Sequence, residues 1–251
     1  MKNSTWLSKG LSLLSLLFFL ISWQFISSFY NPVLLPSPYE TVQALLQLCI
    51  SGRIWEHTVN SLFRGLMGFI LSVMVGMPLG LLMGINNLAR RFIQPFVVTL
   101  QVVPVISWLV LAMVWFGSER VPVFVVVITT LPLIIFNVVQ GVMNVEAQYT
   151  EMAKVFKVNK KEVLLKIYFP QILPYFLAAM SSALGTTWKA VAMAEFLSAQ
   201  KGIGAGMSVA RINLETQEVF AWTLLLVLLG LLTDNGLRLL QKRLTAWRDD
   251  E

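Results

Sequence analysis

Two ionisable side chains, Lys189 and Glu195, lie within a long apolar stretch of the chain, residues 172–197. A charge in the hydrocarbon core of a membrane costs about 3 kcal/mol or more, so such residues face partner helices or a water-filled path rather than lipid. They lie six positions apart, about a third of a turn around a helix, so each is expected to find a partner on another element. Two interpretations stay open: a wall that attracts an anionic solute through Lys189, and a pair of structural ions.

The residues around these two charges favour a helix that forms the wall of a path, while it stays open whether Lys189 and Glu195 contact the solute or are structural. Small, hydroxyl and aromatic side chains recur at intervals of three or four positions, which places them on one face of a helix, with Lys189 on the adjacent face. The residues that we expect to line a path are Ser181, Gly185, Trp188, Lys189 and Glu195.

Groups suited to enzymatic chemistry are few. His57 is the only histidine and Cys49 the only cysteine, and no Gly-x4-Gly-Lys-Ser/Thr loop is present to hold nucleotide phosphates. We therefore expect no catalytic residue, no metal site and no cofactor in this chain. The glycine-rich residues 202–206 (GIGAG) follow an apolar helix rather than a strand, and we interpret them as a flexible re-entrant turn.

The composition is typical of a membrane protein. Hydrophobic residues make up 57% of the 251 positions, charged residues only 13%, and the mean hydropathy is +0.72. Soluble domains are closer to one quarter charged. The sequence predicts a single all-α domain over residues 1–251, crossing the membrane six times. The expected spans are residues 11–29, 62–85, 92–116, 121–142, 172–197 and 220–240.

Two spans carry further signals. Gly76, Gly80 and Gly84 recur every four residues in the second span, which predicts a flat stripe for close contact with another helix. Pro104 lies in the middle of the third span.

The net charge of +6 follows from topology and requires no nucleic acid. If the N-terminus is cytoplasmic, thirteen of the 19 basic residues fall on the cytoplasmic side, as the positive-inside rule expects. This predicts that both termini are cytoplasmic, together with the lysine-rich segment 145–170. Five lysines exclude that segment from the bilayer, and it is expected to form two short helices, with Asn159 capping the second.

Segment 145–170 resembles the EAA loop of the permease subunits of ABC importers. That pattern reads Glu-Ala-Ala, three residues, Gly, nine residues, Ile, one residue, Leu-Pro. Here Glu151-Met152-Ala153 occupies the triplet, Ile167 the Ile position and Phe169-Pro170 the final pair, whereas Lys157 replaces the Gly. The resemblance implies a coupling helix that docks in a separate ATPase. Its contacts would come from Glu151, Met152, Ala153, Phe156 and Lys157.

Other motifs occur in the order found in the nitrate, sulfonate, taurine and thiamine-precursor branch of these permeases. They are Leu35-Pro36-Ser37-Pro38, the glycine-spaced second span, Trp115-Phe116-Gly117, and the segment from Trp188 to Glu195. The resemblance implies the type I importer permease fold, in a bacterial inner membrane. It also implies a homodimer, an external substrate-binding protein, and two cytoplasmic ATPase subunits that bind ATP and Mg. The solute would be small, with anionic and heteroaromatic compounds as the classes suggested.

Two other functions remain to be weighed. An ion-coupled secondary transporter would use Lys189, Glu195 and Asp234 as coupling groups and would need no ATPase, but the chain shows no inverted repeat. A membrane-embedded enzyme would need a cluster of His, Asp or Cys at one depth, which this sequence lacks.

Overall fold

The computed structural model describes residues 2–245, and all regular structure in that range is helical. The elements in chain order are α1 (Lys2–Ser27), α2 (Pro38–Ile50), α3 (Arg53–Ile85), α4 (Asn87–Val102), α5 (Val105–Phe116), α6 (Val121–Met143), α7 (Ala147–Val155), α8 (Lys160–Val163), α9 (Phe169–Ser198), α10 (Ile203–Ile212) and α11 (Thr216–Thr245). A π-helical turn, Leu164–Tyr168, joins α8 to α9.

Four helices of the described range are long and apolar enough to cross a membrane: α3, α6, α9 with the turn before it, and α11. They overlap the second, fourth, fifth and sixth expected spans. In the region of the first expected span, α1 contributes a shorter apolar helix, Leu13–Ser27. The chain is therefore a polytopic, all-helical membrane protein.

The third expected span, residues 92–116, is not one continuous helix. It is divided into α4 and α5, whose axes are bent by 97° and which together form a broken span or a re-entrant loop. Pro104 explains the break, because proline has no N–H to donate and disfavours helical backbone in the residue before it. Val103 is accordingly extended, with φ −66° and ψ 127°.

Helices α3 and α6 pack closely along the predicted glycine stripe. A β-carbon added at Gly80 would come within 2.7 Å of Val138 Cβ, and one at Gly84 within 2.5 Å of Val142 Cβ. Both distances are shorter than atoms tolerate, so only glycine permits this approach. The structure confirms that the stripe is a helix contact.

Helix α6 lies at the centre of the bundle, between α3 and α9. Three of its apolar residues have no solvent-accessible surface: Ile134, Ile135 and Val138. One polar bridge crosses the core, where Thr130 Oγ1 donates to Ser72 Oγ at 2.7 Å. This arrangement holds α3 and α9, which carry the candidate site, in fixed relation to each other.

Candidate functional site

Helix α9 carries the expected path residues, and the structure divides them between two environments. Gly185 and Lys189 are exposed, Ser181 is half-buried, and Trp188 and Glu195 are buried. The set therefore separates into an outward surface and a group of internal contacts.

The outward surface is a stripe of small residues with one cation. Ala178, Ser182, Gly185, Lys189 and Met193 are all exposed and follow one another at intervals of three or four positions. A β-carbon at Gly185 would meet nothing within 4 Å. Within residues 2–245, no acidic side chain forms an ion pair with Lys189. We call this surface the α9 stripe.

Trp188 and Ser181 make contacts inside the bundle. Trp188 Nε1 donates to Thr233 Oγ1 of α11 at 2.9 Å. The indole lies against Gly65 of α3, where an added β-carbon would come within 3.1 Å of the ring. Ser181 Oγ accepts a hydrogen bond from Gln241 Nε2 at 3.1 Å. These contacts hold α9 against α3 and α11.

Glu195 is fully buried, and its carboxylate is satisfied from three directions. Ser61 Oγ donates to Oε2 at 2.6 Å, Arg64 Nη1 donates to Oε1 at 3.0 Å, and the Gly204 N–H donates to Oε2 at 3.2 Å. A buried carboxylate is tolerated when it is both paired and hydrogen-bonded in this way. Glu195 thus links α9 to α3 and α10.

Arg64 is the centre of this cluster, with a side chain only 7% exposed. Besides Glu195 it donates to Lys201 O at 2.5 Å and pairs with the carboxylate of Glu119 in the turn before α6. We call Ser61, Arg64, Glu119 and Glu195 the Arg64 cluster. It joins α3, α9, the α5–α6 turn and the segment before α10.

Sequence reasoning missed Arg64 as a partner of Glu195 because the two residues are 131 positions apart. The positive-inside count left Arg64 among the six basic residues not assigned to the cytoplasmic side. A signal was present, since Ser61, Arg64, Gly65 and Gly68 recur at helical spacing and mark a buried face of α3.

The interpretation of residues 202–206 as a flexible turn is wrong. Residues 202–206 are all buried, and the helix α10 begins at Ile203. A side chain at Gly202 would collide with the Glu195 carboxylate, and one at Gly204 with Ala192 O. Gly202 also has φ +121°, which side-chain-bearing residues rarely adopt. The glycines therefore allow a tight packing of α10 on α9.

Further polar contacts stabilise the same end of the bundle. His57 Nδ1 lies 2.7 Å from Gly202 O. Lys201 Nζ pairs with Glu56 Oε1 at 2.6 Å, and the hydrogen bond and charge of Glu56 raise the pKa of Lys201 above its ordinary value. His57 thus connects α3 to the segment before α10.

The expected coupling residues lie in and just after α7. Ala153 is the one buried member. Met152 and Phe156 are 53% and 74% exposed, and Glu151 is also exposed. The short helix therefore offers apolar side chains next to a carboxylate on a surface that the other described residues leave open.

Lys157 ends α7 in a left-handed conformation, with φ +51°. The Val158 N–H bonds Ala153 O at 2.9 Å and the Lys157 N–H bonds Lys154 O at 3.1 Å, which is the pattern of a Schellman motif. Glycine is the usual residue at this position, and lysine raises the energy there by about 1 kcal/mol. The elbow at the glycine position of the EAA pattern is retained despite the substitution.

The second short helix begins after Asn159, whose Oδ1 accepts from the Lys161 N–H at 3.3 Å. Glu162 Oε1 pairs with Lys166 Nζ at 3.1 Å. From Lys161 the helical backbone continues through the π-helical turn into α9, without a break at Pro170. The wider turn contains a bond from the Phe169 N–H to Leu164 O and accommodates the proline that follows.

Comparison with known proteins places this architecture in a family. Residues 76–246 match the family described as binding-protein-dependent transport system inner membrane component. This match covers more than half of the chain, which therefore belongs to that family. The matched region extends from the second half of α3 to the end of the bundle.

Individual relatives indicate the branch. The chain is 32% identical to the putative aliphatic sulfonates transport permease SsuC of Escherichia coli (strain K12), over 90% of this chain and 87% of the relative. It is 26% identical to the taurine transport system permease TauC of the same organism, covering 88% and 82%. Identity to the nitrate import permease NrtB of Leptolyngbya laminosa is 29%, covering 84% and 78%.

The protein is thus an ABC importer permease of the branch that the sequence resembles. It is a transport subunit of the inner membrane and not itself an enzyme. Membership of this family implies an ATPase and a substrate-binding protein as partners in general. The ion-coupled secondary transporter and the membrane-embedded enzyme are therefore set aside.

Proposed function

We propose that this chain forms the translocation path of an ATP-driven importer for a small anionic solute delivered by an external binding protein. Relatives are named for sulfonates, taurine and nitrate, which share an anionic group at neutral pH. An anionic group, which taurine carries together with an ammonium group, is the chemical feature common to those names, and a neutral heteroaromatic compound lacks it.

The α9 stripe supports an anionic solute. Lys189 is its one cation and forms no ion pair within the described residues, while Ser182 and Gly185 leave space beside it. A second copy of the chain, with its own α9 stripe opposite, would enclose a path between the two. In this arrangement Lys189 attracts the solute, whereas Trp188 and Glu195 keep the wall in place from behind.

Coupling to ATP hydrolysis is assigned to α7 and its C-terminal elbow. Met152 and Phe156 would enter an apolar cleft of the ATPase, Glu151 would pair with a basic residue at its rim, and the Lys157 elbow would set the angle of entry. Each of two ATPase subunits would bind ATP and Mg and receive one such helix. The termini would lie on the same, cytoplasmic, side.

The proposed coupling to the ATPase rests on the exposed apolar side chains of Met152 and Phe156, in and just after α7. Neighbouring apolar side chains that are exposed together on a protein surface mark sites where a partner or a membrane covers them. Met152 and Phe156 are exposed in a segment too rich in lysine to cross the hydrocarbon core, so the interior of the bilayer does not cover them.

The test is a pull-down in detergent of the permease co-expressed with its ATPase. Glu151→Arg should reduce the captured ATPase by at least about tenfold, because reversing a charge at an interface costs several kcal/mol. Glu215→Arg is the matched control, since Glu215 is exposed in the loop between α10 and α11, away from α7.

Capture by wild type and Glu215→Arg, with loss in Glu151→Arg, would support coupling through α7. Equal capture by all three variants would show that the ATPase binds elsewhere. If wild-type permease holds no ATPase yet moves solute in vesicles, the proposed coupling is wrong.

A further inference from the structure

A groove of about 580 Å³ lies beside α7, on a different side from Met152 and Phe156. One wall is apolar and is formed by Ile85 at the end of α3 with Val163, Leu164 and Tyr168. Lys154 and Lys157 also line the groove. We call this cavity the α7 groove.

The short segment has two separate surfaces. Thr150, Ala153, Lys154 and Lys157 line the α7 groove, and their spacing of three, one and three positions places them on one side of the helix and its elbow. Met152 and Phe156 do not line it. An occupant of the groove would therefore leave the apolar surface assigned to the ATPase free.

The charges of the groove are not neutralised within the described residues. Lys154 and Lys157 form no ion pair there, in contrast to Lys166, whose Nζ lies 3.1 Å from Glu162 Oε1. Two cations beside an apolar wall are complementary to a molecule that carries both an anion and a hydrocarbon portion.

The groove also lies close to the membrane surface, where molecules that combine an anionic group with hydrocarbon are abundant. Ile85 is the last residue of α3, a candidate span, and the polar residues 86–91 follow it. Tyr168 ends the π-helical turn that leads into α9, another candidate span. The groove is therefore at the boundary between hydrocarbon and headgroups, where basic pockets bind anionic lipids.

We propose that the α7 groove binds an anionic phospholipid. Its phosphate lies between Lys154 and Lys157, and the first methylenes of an acyl chain lie on Ile85 and Leu164. The site is distinct from the solute path; it shares Ala153 and Lys157 with the coupling residues but leaves Met152 and Phe156 free, and it makes the coupling segment sensitive to membrane composition. Inorganic phosphate shares the headgroup chemistry but lacks the chain.

The test uses the full-length permease in nanodiscs that contain equal amounts of phosphatidylglycerol and phosphatidylcholine, released into native mass spectrometry. Wild type should retain phosphatidylglycerol preferentially. Lys154→Gln with Lys157→Gln should reduce that retention by about fivefold for each charge removed. Lys154→Arg with Lys157→Arg keeps both charges and should retain the lipid.

Lys161→Gln is the matched control, because Lys161 is an exposed lysine of the same segment that does not line the groove. Equal loss in this control, or no preference for phosphatidylglycerol in wild type, would overturn the proposal. Displacement of the lipid by millimolar inorganic phosphate would also overturn it, by showing a free-anion site. ATPase capture measured on the same samples is a separate readout, so failure of α7 coupling and failure of lipid binding are distinguishable.

Discussion

At the scale of single residues, the Arg64 cluster is the feature with the largest energetic consequence. Its carboxylate and guanidinium are both removed from water, and the desolvation of such a pair can match or exceed the attraction between its charges. The main contribution of the Arg64–Glu195 pair is therefore to determine which elements of the chain pack together, rather than to add net stability. Arg64 reaches Glu195, Lys201 O and Glu119 together, and no apolar residue could make those three contacts.

Removing one charge of the cluster should destabilise the protein strongly. Arg64→Met leaves Glu195 buried without a counter-ion, which costs about 3–5 kcal/mol and should lower the Tm by about 10 °C. Adding Glu195→Gln should recover part of this loss, since the orphaned charge is then gone. The measurement is thermal unfolding in detergent, followed by tryptophan fluorescence.

Arg53→Met is the control for that experiment. Arg53 pairs with Glu218 at 2.7 Å but is half exposed, so its removal should cost less than about 1 kcal/mol. A similar fall in Tm for Arg53→Met and Arg64→Met would show that the buried cluster has no special role.

At the scale of elements, close packing of α3 on α6 depends on glycines, which have no side chain to hold the two backbones apart. Gly68, Gly76, Gly80 and Gly84 bring the two backbones together, and valine or isoleucine side chains of α6 occupy the space where β-carbons would stand. In a membrane, close van der Waals packing of this kind drives the association of helices. Lipid is as apolar as the helix surfaces, so there is little hydrophobic driving force.

One added methyl group should therefore separate these helices. Gly80→Ala places a carbon 2.7 Å from Val138 Cβ, and the resulting overpacking should lower stability by about 1–3 kcal/mol. The same change at Gly236, in α11, meets nothing within 4 Å and should raise helix stability by up to about 1 kcal/mol. A Tm that shifts in the same direction for Gly80→Ala and Gly236→Ala would contradict the packing argument.

At the scale of the whole molecule, the distribution of charge predicts the orientation. If the termini are cytoplasmic, the lysine-rich segment around α7 and the basic residues in the last turns of α11 lie on the same side of the membrane, and the Arg64 cluster lies towards the outer face. In that orientation the buried Arg64–Glu195 pair would lie at the outer end of the bundle, and α7 would face the cytoplasm at the inner end.

This orientation can be tested by labelling single cysteines. In a Cys49→Ser background, Leu34→Cys should react with a membrane-impermeant maleimide in intact spheroplasts, whereas Leu88→Cys should react only after lysis. Both positions are well exposed, at 71% and 78%. The reverse pattern would place the termini and α7 outside and would exclude contact with a cytoplasmic ATPase.

Much of the architecture could be predicted because it depends on local properties of the chain. Apolar runs mark α3, α6, α9 and α11, since length and hydropathy alone decide whether a helix can span a membrane. The glycine period predicted the α3 contact face, and the break at Pro104 follows from the chemistry of one residue, although its 97° bend was not expected.

The tertiary structure alone decided what each polar residue of α9 does. Lys189 and Glu195 look alike in the sequence, as charges in an apolar stretch, yet one is exposed and the other is fully buried against Arg64. Likewise, residues 202–206 resemble a flexible turn until their contacts with Glu195 and Trp222 are known. The physical reason is range: hydropathy and backbone preference act between near neighbours, whereas the partner of a buried charge is chosen by folding, from residues far away along the chain.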